Sequence, residues 1–236
     1  MGHSADVQEL VESHLPSYER TLILCETYFE QVAWNFRGVT RMQLIDDMLP
    51  VIYNKQPAPF GEDYSGPHDL ALLFIIMAIG ALVCHEPSKA LGEHYYQISR
   101  VAISLQPVLE KPSIVTIQTL YLMSIYNAMS GSDLKSETSM EMTWSLVTLA
   151  SHLAQTVRNL FYTLKCIFGL PVKLIYFQIG LRKLRCLWIL ALKLKIYLKD
   201  RDSARWGLTP KMVQRRRILF WDLFVSDVWQ ACIDPY

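Results

Sequence analysis

Apolar residues recur at three- and four-residue steps along the first two thirds of the chain, which is the spacing of amphipathic helices. The first such stretch lies within residues 7–37, and it predicts a helix that is entered after Pro16 and ends at Gly38. A second, short helix is predicted over residues 40–52, with Thr40 as its N-cap. Residues 56–67 are rich in Pro, Gly and Ser and predict a surface loop.

Four further helices are predicted over residues 68–84, 90–105, 113–129 and 137–156. Ser113 is placed to cap the third of these, and residues 130–133 predict a turn before the fourth. No stretch shows the sustained two-residue alternation of strands. Six helices and no sheet predict an all-α chain, folded as an irregular multi-helix bundle.

The composition fits a packed protein in a reducing compartment. Hydrophobic residues make up 51% of the 236 residues, which is enough for a sizeable core. The five cysteines are widely scattered, with no CxxC pair and no His at ligand spacing, so we expect neither a disulfide framework nor a metal site. The most apolar run, residues 70–84, is shorter than the roughly 20 residues that cross a bilayer. The N-terminal residues predict neither a signal peptide nor a lipid anchor.

The net charge of +1 conceals two parts of opposite character. Residues 157–199 contain nine Lys or Arg and no Asp or Glu, amid Leu, Ile, Phe and Tyr. The remainder of the chain contains 14 basic and 22 acidic residues. Because this helical body carries excess negative charge, it offers no general attraction for a phosphate backbone. Any contact with DNA must then come from elsewhere.

Three interpretations of residues 157–199 compete: translated intron sequence, an inserted helical hairpin, and a membrane-surface helix. The intron interpretation explains most of the observations. The codons of Val157-Arg158 and Arg182-Lys183 can contain splice donor signals. The codons of Phe177-Gln178 and Lys199-Asp200 can contain the matching acceptor signals. Both excisions keep the reading frame. The membrane interpretation is weaker, because the lysines at 193, 195 and 199 do not segregate from the surrounding leucines.

The double excision predicts the domain organisation. Residues 1–156 and 200–236 form one helical domain, and residues 157–199 interrupt it as intron or inserted sequence. Ile179, Gly180 and Leu181 lie inside the interruption and belong to the domain. Joining the second pair of splice sites also creates a new His codon before Arg201.

The repaired sequence resembles the fungal-specific transcription factor domain, the middle homology region of zinc binuclear cluster regulators of the xylanolytic-activator type. Four stretches carry the resemblance: residues 61–82, 93–103, 109–156 and 201–230. The most specific match is a helix that ends in Gly-Leu-His-Arg-Asp and is followed by basic residues, Phe-Trp and acids. The matching residues are Gly180, Leu181, Arg201, Asp202, Arg215, Arg216, Arg217, Phe220, Trp221, Asp222 and Asp227; the His is absent from the chain as written.

This resemblance implies a regulatory and dimerising region of a nuclear transcription factor, active as a homodimer or heterodimer, and not an enzyme. DNA would be bound only through an N-terminal module in which six cysteines hold two zinc ions, and this module has no counterpart here. Zinc is expected in that module alone, with no cofactor in this chain. A small-molecule effector is a further implied partner, and a membrane is not. The family continues past Trp229-Gln230 into more helices, so we expect a chain truncated at both ends.

Individual residues also allow plainer interpretations. The cluster Arg215, Arg216 and Arg217 allows three interpretations: a phosphate-binding patch for nucleic acid, a nuclear localisation signal and a solvated face. The solvated face is the commonest setting for three basic residues near a helix start. The pair Arg201-Asp202 is a structural salt bridge at the mouth of the core. His68-Asp69 lacks a nucleophile and is expected in a helical first turn rather than in a catalytic pair.

Two further stretches are expected to pack rather than to bind. The aromatic cluster at residues 94–96 and the Met and aromatic residues of 117–129 are interpreted as core, with an effector pocket among the latter implied only by the family. The alternative function is a membrane-surface or scaffolding helical protein that uses residues 157–199 to bind anionic lipid.

Overall fold

The computed structural model describes residues 2–54, 66–110, 112–130, 137–156 and 209–233. These residues form eight α-helices and one π-helix and contain no strand, so the predicted all-α class is confirmed. The helices are α1 (Gly2–Ser13), α2 (Tyr18–Gln31), α3 (Leu49–Asn54), α4 (Pro67–Val83), α5 (Lys89–Ser104), α6 (Ile114–Ser130), α7 (Glu137–Thr156) and α8 (Pro210–Ile233). The π-helix, Met42–Met48, leads directly into α3.

Side-chain caps set the starts of several helices. Ser17 Oγ accepts the Arg20 N–H at the start of α2 over 3.4 Å, and Thr40 Oγ1 accepts the Gln43 N–H over 3.2 Å at the start of the π-helix. Ser113 Oγ accepts the Thr116 N–H over 3.0 Å at the start of α6. Each cap satisfies a backbone donor that has no partner within its helix. The caps predicted at Thr40 and Ser113 are therefore confirmed.

Helix α4 is the centre of the bundle. It carries no charge after Asp69 and is buried from Pro67 to Ala81, because α2, α5 and α6 pack around it. A helix that is apolar on every face is stable in water only when it is enclosed in this way. Helix α7 packs on α6, and α8 packs on α7 and α6, so the bundle grows outward from α4 in the order of the chain.

Buried polar contacts fix the arrangement around α4. The ring of His68 joins three helices: its Nδ1 lies 2.7 Å from Thr116 Oγ1 and its Nε2 lies 3.1 Å from the Ile103 carbonyl oxygen. The Gln43 and Gln118 amides exchange hydrogen bonds of 2.8 and 3.0 Å, and Gln118 Nε2 also donates to the Gly38 carbonyl oxygen over 2.6 Å. Because an unpaired amide in a core is costly, these pairs allow few alternative packings.

The predicted entry of a helix after Pro16 is confirmed, since α2 begins at Tyr18. The structure differs from the sequence predictions at three points. Helix α1, which precedes Pro16, was not predicted. Helix α2 ends at Gln31 rather than at Gly38, because residues 32–39 form a turn in which the Phe36 carbonyl oxygen accepts the Tyr28 hydroxyl over 3.1 Å. Helix α8 has no counterpart among the six predicted helices. The predicted turn at 130–133 and most of the loop at 56–67 lie outside the described residues.

Among the described helices, none is both long and apolar enough to cross a membrane.

Candidate functional site: one face of helix α8

Five residues of α8 face the rest of the bundle along a single line, which we call the α8 stripe. They are Lys211, Arg215, Leu219, Asp222 and Ser226. Their spacing of four, four, three and four residues places them one above the other on one helix face. Four of the five are polar, and they add specific polar contacts to the apolar packing of Val213, Leu219 and Leu223, which are also buried.

The N-terminal end of the stripe contacts the π-helix through Asp47. Lys211 Nζ donates to Asp47 Oδ2 in a close ion pair, and Arg215 Nη2 lies 3.8 Å from the same oxygen. Arg215 is 6% exposed and Asp47 is 9% exposed. Since both groups have left water, their attraction offsets a large desolvation cost, and the removal of either partner leaves a buried charge.

The middle of the stripe packs against the turn that follows α2. A Cβ added to Gly38 would lie 3.5 Å from Leu219 Cδ1 and 3.3 Å from Tyr121 Cδ1. The turn is therefore held between α6 and α8, and a side chain at residue 38 would press on the Tyr121 ring.

The C-terminal end of the stripe places Asp222 in a sheltered position. Burial raises the pKa of its carboxyl to about 6, and the charge and backbone N–H of Arg37 oppose that shift only in part. Within the described residues, Asp222 Oδ2 has no hydrogen-bond partner. One turn further on, Ser226 Oγ lies 3.1 Å from the Tyr121 hydroxyl.

Two tyrosines share the environment of Asp222. Burial raises the pKa of Tyr121 to about 12; the hydrogen bond from Ser226 opposes this shift and the charge of Asp222 adds to it. Burial also raises the pKa of Tyr28, whose hydroxyl is bonded to the Phe36 carbonyl oxygen. Both phenols therefore stay neutral near pH 7, and Asp222 is the group of this cluster that titrates closest to neutrality.

The structure gives the predicted arginine cluster a different setting from the expected one. The solvated-face interpretation is wrong for Arg215, which is buried against Asp47, and Arg216 and Arg217 are half-buried. Burial lowers the pKa of Arg216. The localisation signal assigned to these three residues stays a prediction.

The other predicted motif residues divide into two groups. Trp221 is half-buried on α8, and Phe220 and Asp227 are positions of the same helix. Gly180, Leu181, Arg201 and Asp202 lie outside the described residues, as do the insertion boundaries. The described structure thus brings together the motif residues of α8 with partners that the sequence analysis did not identify, namely Asp47, Lys211, Tyr121 and Ser226.

The remaining candidates for chemistry are structural. The His68 ring contacts Thr116 and two carbonyl oxygens, and Asp69 Oδ2 accepts the Gly66 N–H over 3.1 Å in the first turn of α4. The prediction that this pair occupies a helical first turn is confirmed. In the part of the chain that the structure describes, no three His, Cys, Asp or Glu side chains are grouped to hold a metal ion.

Comparison with known families decides the assignment. The model of the fungal specific transcription factor domain matches residues 48–233, a span that covers α3 to α8 and includes the α8 stripe. The chain belongs to this family. The resemblance seen in the sequence is therefore confirmed, and the fungal specific transcription factor domain described here is part of a transcription regulator. Searches for similar curated proteins and for similar solved structures found no match.

Proposed function

We propose that this fungal specific transcription factor domain is the regulatory and self-associating region of a nuclear regulator, and that a linked zinc cluster reads the DNA. The observation that carries the proposal is the burial of one residue of the basic cluster on α8: Arg215 is buried against Asp47 and is not available to a phosphate backbone. A surface that binds DNA needs guanidinium and ammonium groups free to replace counterions.

The charge balance supports the same division of roles. Residues 1–156 contain eight basic and 17 acidic residues, so the body built from α1 to α7 repels nucleic acid at long range. Sequence-specific recognition then falls to the zinc module. The helical domain would control the spacing, pairing or accessibility of two such modules, which is the task of a dimeric regulator.

Fluorescence anisotropy with a labelled DNA duplex at physiological salt tests this proposal. We expect the purified 236-residue chain to bind no more tightly than the roughly 10⁻⁴ to 10⁻⁶ M that is typical of non-specific binding. A fusion to a heterologous zinc cluster should bind the target of that cluster. Sequence-specific, nanomolar binding by the chain alone would overturn the proposal. A variant lacking residues 157–199 shows whether any residual binding comes from the basic segment.

Two measurements address regulation and pairing. Sedimentation velocity on the chain should show a concentration-dependent dimer, and a strictly monomeric chain at high micromolar concentration counts against self-association. The same fusion, placed on a reporter promoter in a fungal nucleus, should change transcription relative to the zinc cluster alone. An unchanged reporter level counts against a regulatory role.

A further inference from the structure

A cleft of about 510 Å³ opens between α5, α6 and α7, away from the α8 stripe. Its floor is apolar and is formed by Ile103, Leu120 and Met123, each of which is buried. Met142 lies at the rim and is 48% exposed. A concave, mainly apolar site of this size, with few polar groups, is the usual form of a small-molecule pocket. A flexible thioether at its edge can adapt to a ligand.

The two walls of the cleft carry opposite charges. Arg100 stands on α5 and Glu141 stands on α7, and both line the cleft. No ion pair joins them in the described structure. Opposite charges that face one cleft without contact leave room for a molecule that pairs with both.

Two contacts along α5 orient the exposed side chain of Arg100. Its guanidinium carbon lies 5.9 Å from the centre of the Tyr96 ring, and its Nη1 donates to Gln97 Oε1 over 3.3 Å. The Tyr96 ring is itself stacked on Tyr126, with 4.5 Å between the ring centres and 13° between the planes. A guanidinium held on an aromatic stack keeps its remaining donors free for a carboxylate at little entropic cost.

We propose that this cleft binds a small zwitterion with a large apolar side chain, of the chemical class of an aromatic amino acid. Arg100 pairs with the carboxylate, Glu141 pairs with the ammonium group, and the side chain covers Leu120 and Met123. The assignment deepens the proposed regulatory function and rests on it, because such a ligand would be the signal that the domain senses.

Thermal unfolding and calorimetric titration of the full chain with L-tryptophan test the assignment. We expect millimolar tryptophan to raise the melting temperature by about 2–4 °C. Tryptamine, which lacks the carboxylate, and indole-3-propionate, which lacks the ammonium group, should each raise it by less than about 1 °C. An equal shift with either analogue would overturn the zwitterion assignment, as would the absence of any shift.

Variants of the two exposed charges locate the site. Arg100→Gln and Glu141→Gln should each weaken tryptophan binding by about tenfold or more. Arg41→Gln is the matched control, because Arg41 is also exposed and pairs with Glu26 on another surface. The unliganded melting temperature of each variant reports on its fold. Full-strength binding by either cleft variant, or an equal loss in the control, would contradict the proposal.

The reporter fusion separates this proposal from the previous one. A reporter that responds to the fusion while the purified chain ignores tryptophan overturns the cleft assignment and leaves the regulatory role standing. Tryptophan binding that depends on Arg100 and Glu141, with a reporter that never changes, supports the cleft and overturns the regulatory role.

Discussion

Two carboxyl groups at the contact between α8 and the rest of the bundle differ in their surroundings. Asp47 faces two cations, Lys211 and Arg215, and is held as one side of a buried ion pair. Asp222 faces two phenols, and the charge and backbone N–H of Arg37 stabilise its anion only in part against the cost of burial. The first carboxylate therefore stabilises the docked helix through its charge, whereas the charge of the second opposes docking.

Replacement of Asp222 by Asn should stabilise the protein at neutral pH. An unfolded aspartate loses its proton near about pH 4, whereas folded Asp222 keeps its proton to about pH 6. Asp222 thus favours the folded state below about pH 4, and this contribution is lost as the pH rises through 6. The carboxyl keeps part of its solvent contact, which reduces the size of the effect. We expect Asp222→Asn to raise the free energy of unfolding by on the order of 1 kcal/mol at pH 7.5.

Urea unfolding of the wild type and of Asp222→Asn between pH 5 and 8 measures this effect. The difference in unfolding free energy should grow between pH 5 and 7 and then stay constant. Asp46→Asn is the matched control, because Asp46 is an exposed residue of the π-helix; it measures the effect of removing a surface carboxylate. A constant or shrinking difference for Asp222→Asn would show that Asp222 is not held neutral.

Replacement of Asp47 by Asn should have the opposite sign. The substitution leaves buried Arg215 without this carboxylate, and we expect a loss of about 2–3 kcal/mol in unfolding free energy. Lys211→Gln removes the more exposed cation of the same cluster, whose side chain is 40% exposed, and should cost less than about 1 kcal/mol. Chemical denaturation at constant pH compares the two variants; equal losses would mean that burial of Arg215 does not set the cost.

These residue-level contacts could not be read from the sequence. The partners of the α8 stripe lie at residues 37, 38, 47 and 121, far away in the chain. Hydrophobic spacing identifies which residues leave water but gives no information on which acid meets which base. The predicted motif residues Arg215 and Trp221 were found through family resemblance, and their surroundings only through the fold.

At the scale of elements, α2 and α4 approach each other closely at Gly80. A Cβ added to Gly80 would lie 2.3 Å from the Leu24 carbonyl oxygen, well inside van der Waals contact. Glycine is ordinarily a poor residue in a helix, so its presence in the middle of α4 has a packing cause: it lets two helix backbones approach each other.

Gly80→Ala should therefore destabilise the protein. At an unobstructed helix position, the same substitution raises the free energy of unfolding by about 1 kcal/mol. The methyl group would force α2 and α4 apart, and we expect a loss of about 2–3 kcal/mol. Gly92→Ala is a graded comparison, because the nearest atom to an added Cβ there is the end of the flexible Leu82 side chain at 3.1 Å. Its loss should be smaller. Melting temperatures that rank the two variants in the reverse order would contradict this account.

The sequence pattern predicted correctly those helices in which the regularly spaced apolar residues are also the buried residues. Helices α4, α5, α6 and α7 match their predicted ranges within about two residues. Helix α8 was not among the predicted helices, although three of its four described buried residues, Val213, Leu219 and Leu223, are apolar; the fourth, Arg215, interrupts their spacing with a charge. The π-helix was predicted as an ordinary helix, since the wider turn that buries both Gln43 and Asp47 has no signature in apolar spacing.

At the scale of the whole molecule, α7 and α8 flank the basic segment in sequence and pack against one another in the fold. The two halves of the regulatory domain therefore meet directly across residues 157–199. This contact supports the proposal that the segment is an interruption, although its boundaries lie outside the described residues. The charge distribution also supports an interruption. Without residues 157–199 the chain is acidic, and the basic residues of this segment alone bring its net charge to +1.

Sequencing of reverse-transcribed messenger RNA across codons 150–210 checks the proposal. We expect mature transcripts that lack the codons for 157–178, and the stretch between codons 182 and 200, with His before Arg201. A transcript that retains the whole segment would overturn the intron interpretation. The alternative, a membrane-surface helix, would then predict co-flotation of the chain with anionic vesicles and no flotation of a variant lacking 157–199.

The burial of Arg215 also bears on entry into the nucleus. If Arg215, Arg216 and Arg217 serve as an import signal, the receptor and Asp47 compete for the same guanidinium group. The free energy needed to separate α8 from the bundle then reduces the binding free energy of the receptor. By the same coupling, receptor binding destabilises the docked position of α8. Newly synthesised chains with α8 still undocked would be the preferred cargo, and completed domains would be carried less efficiently.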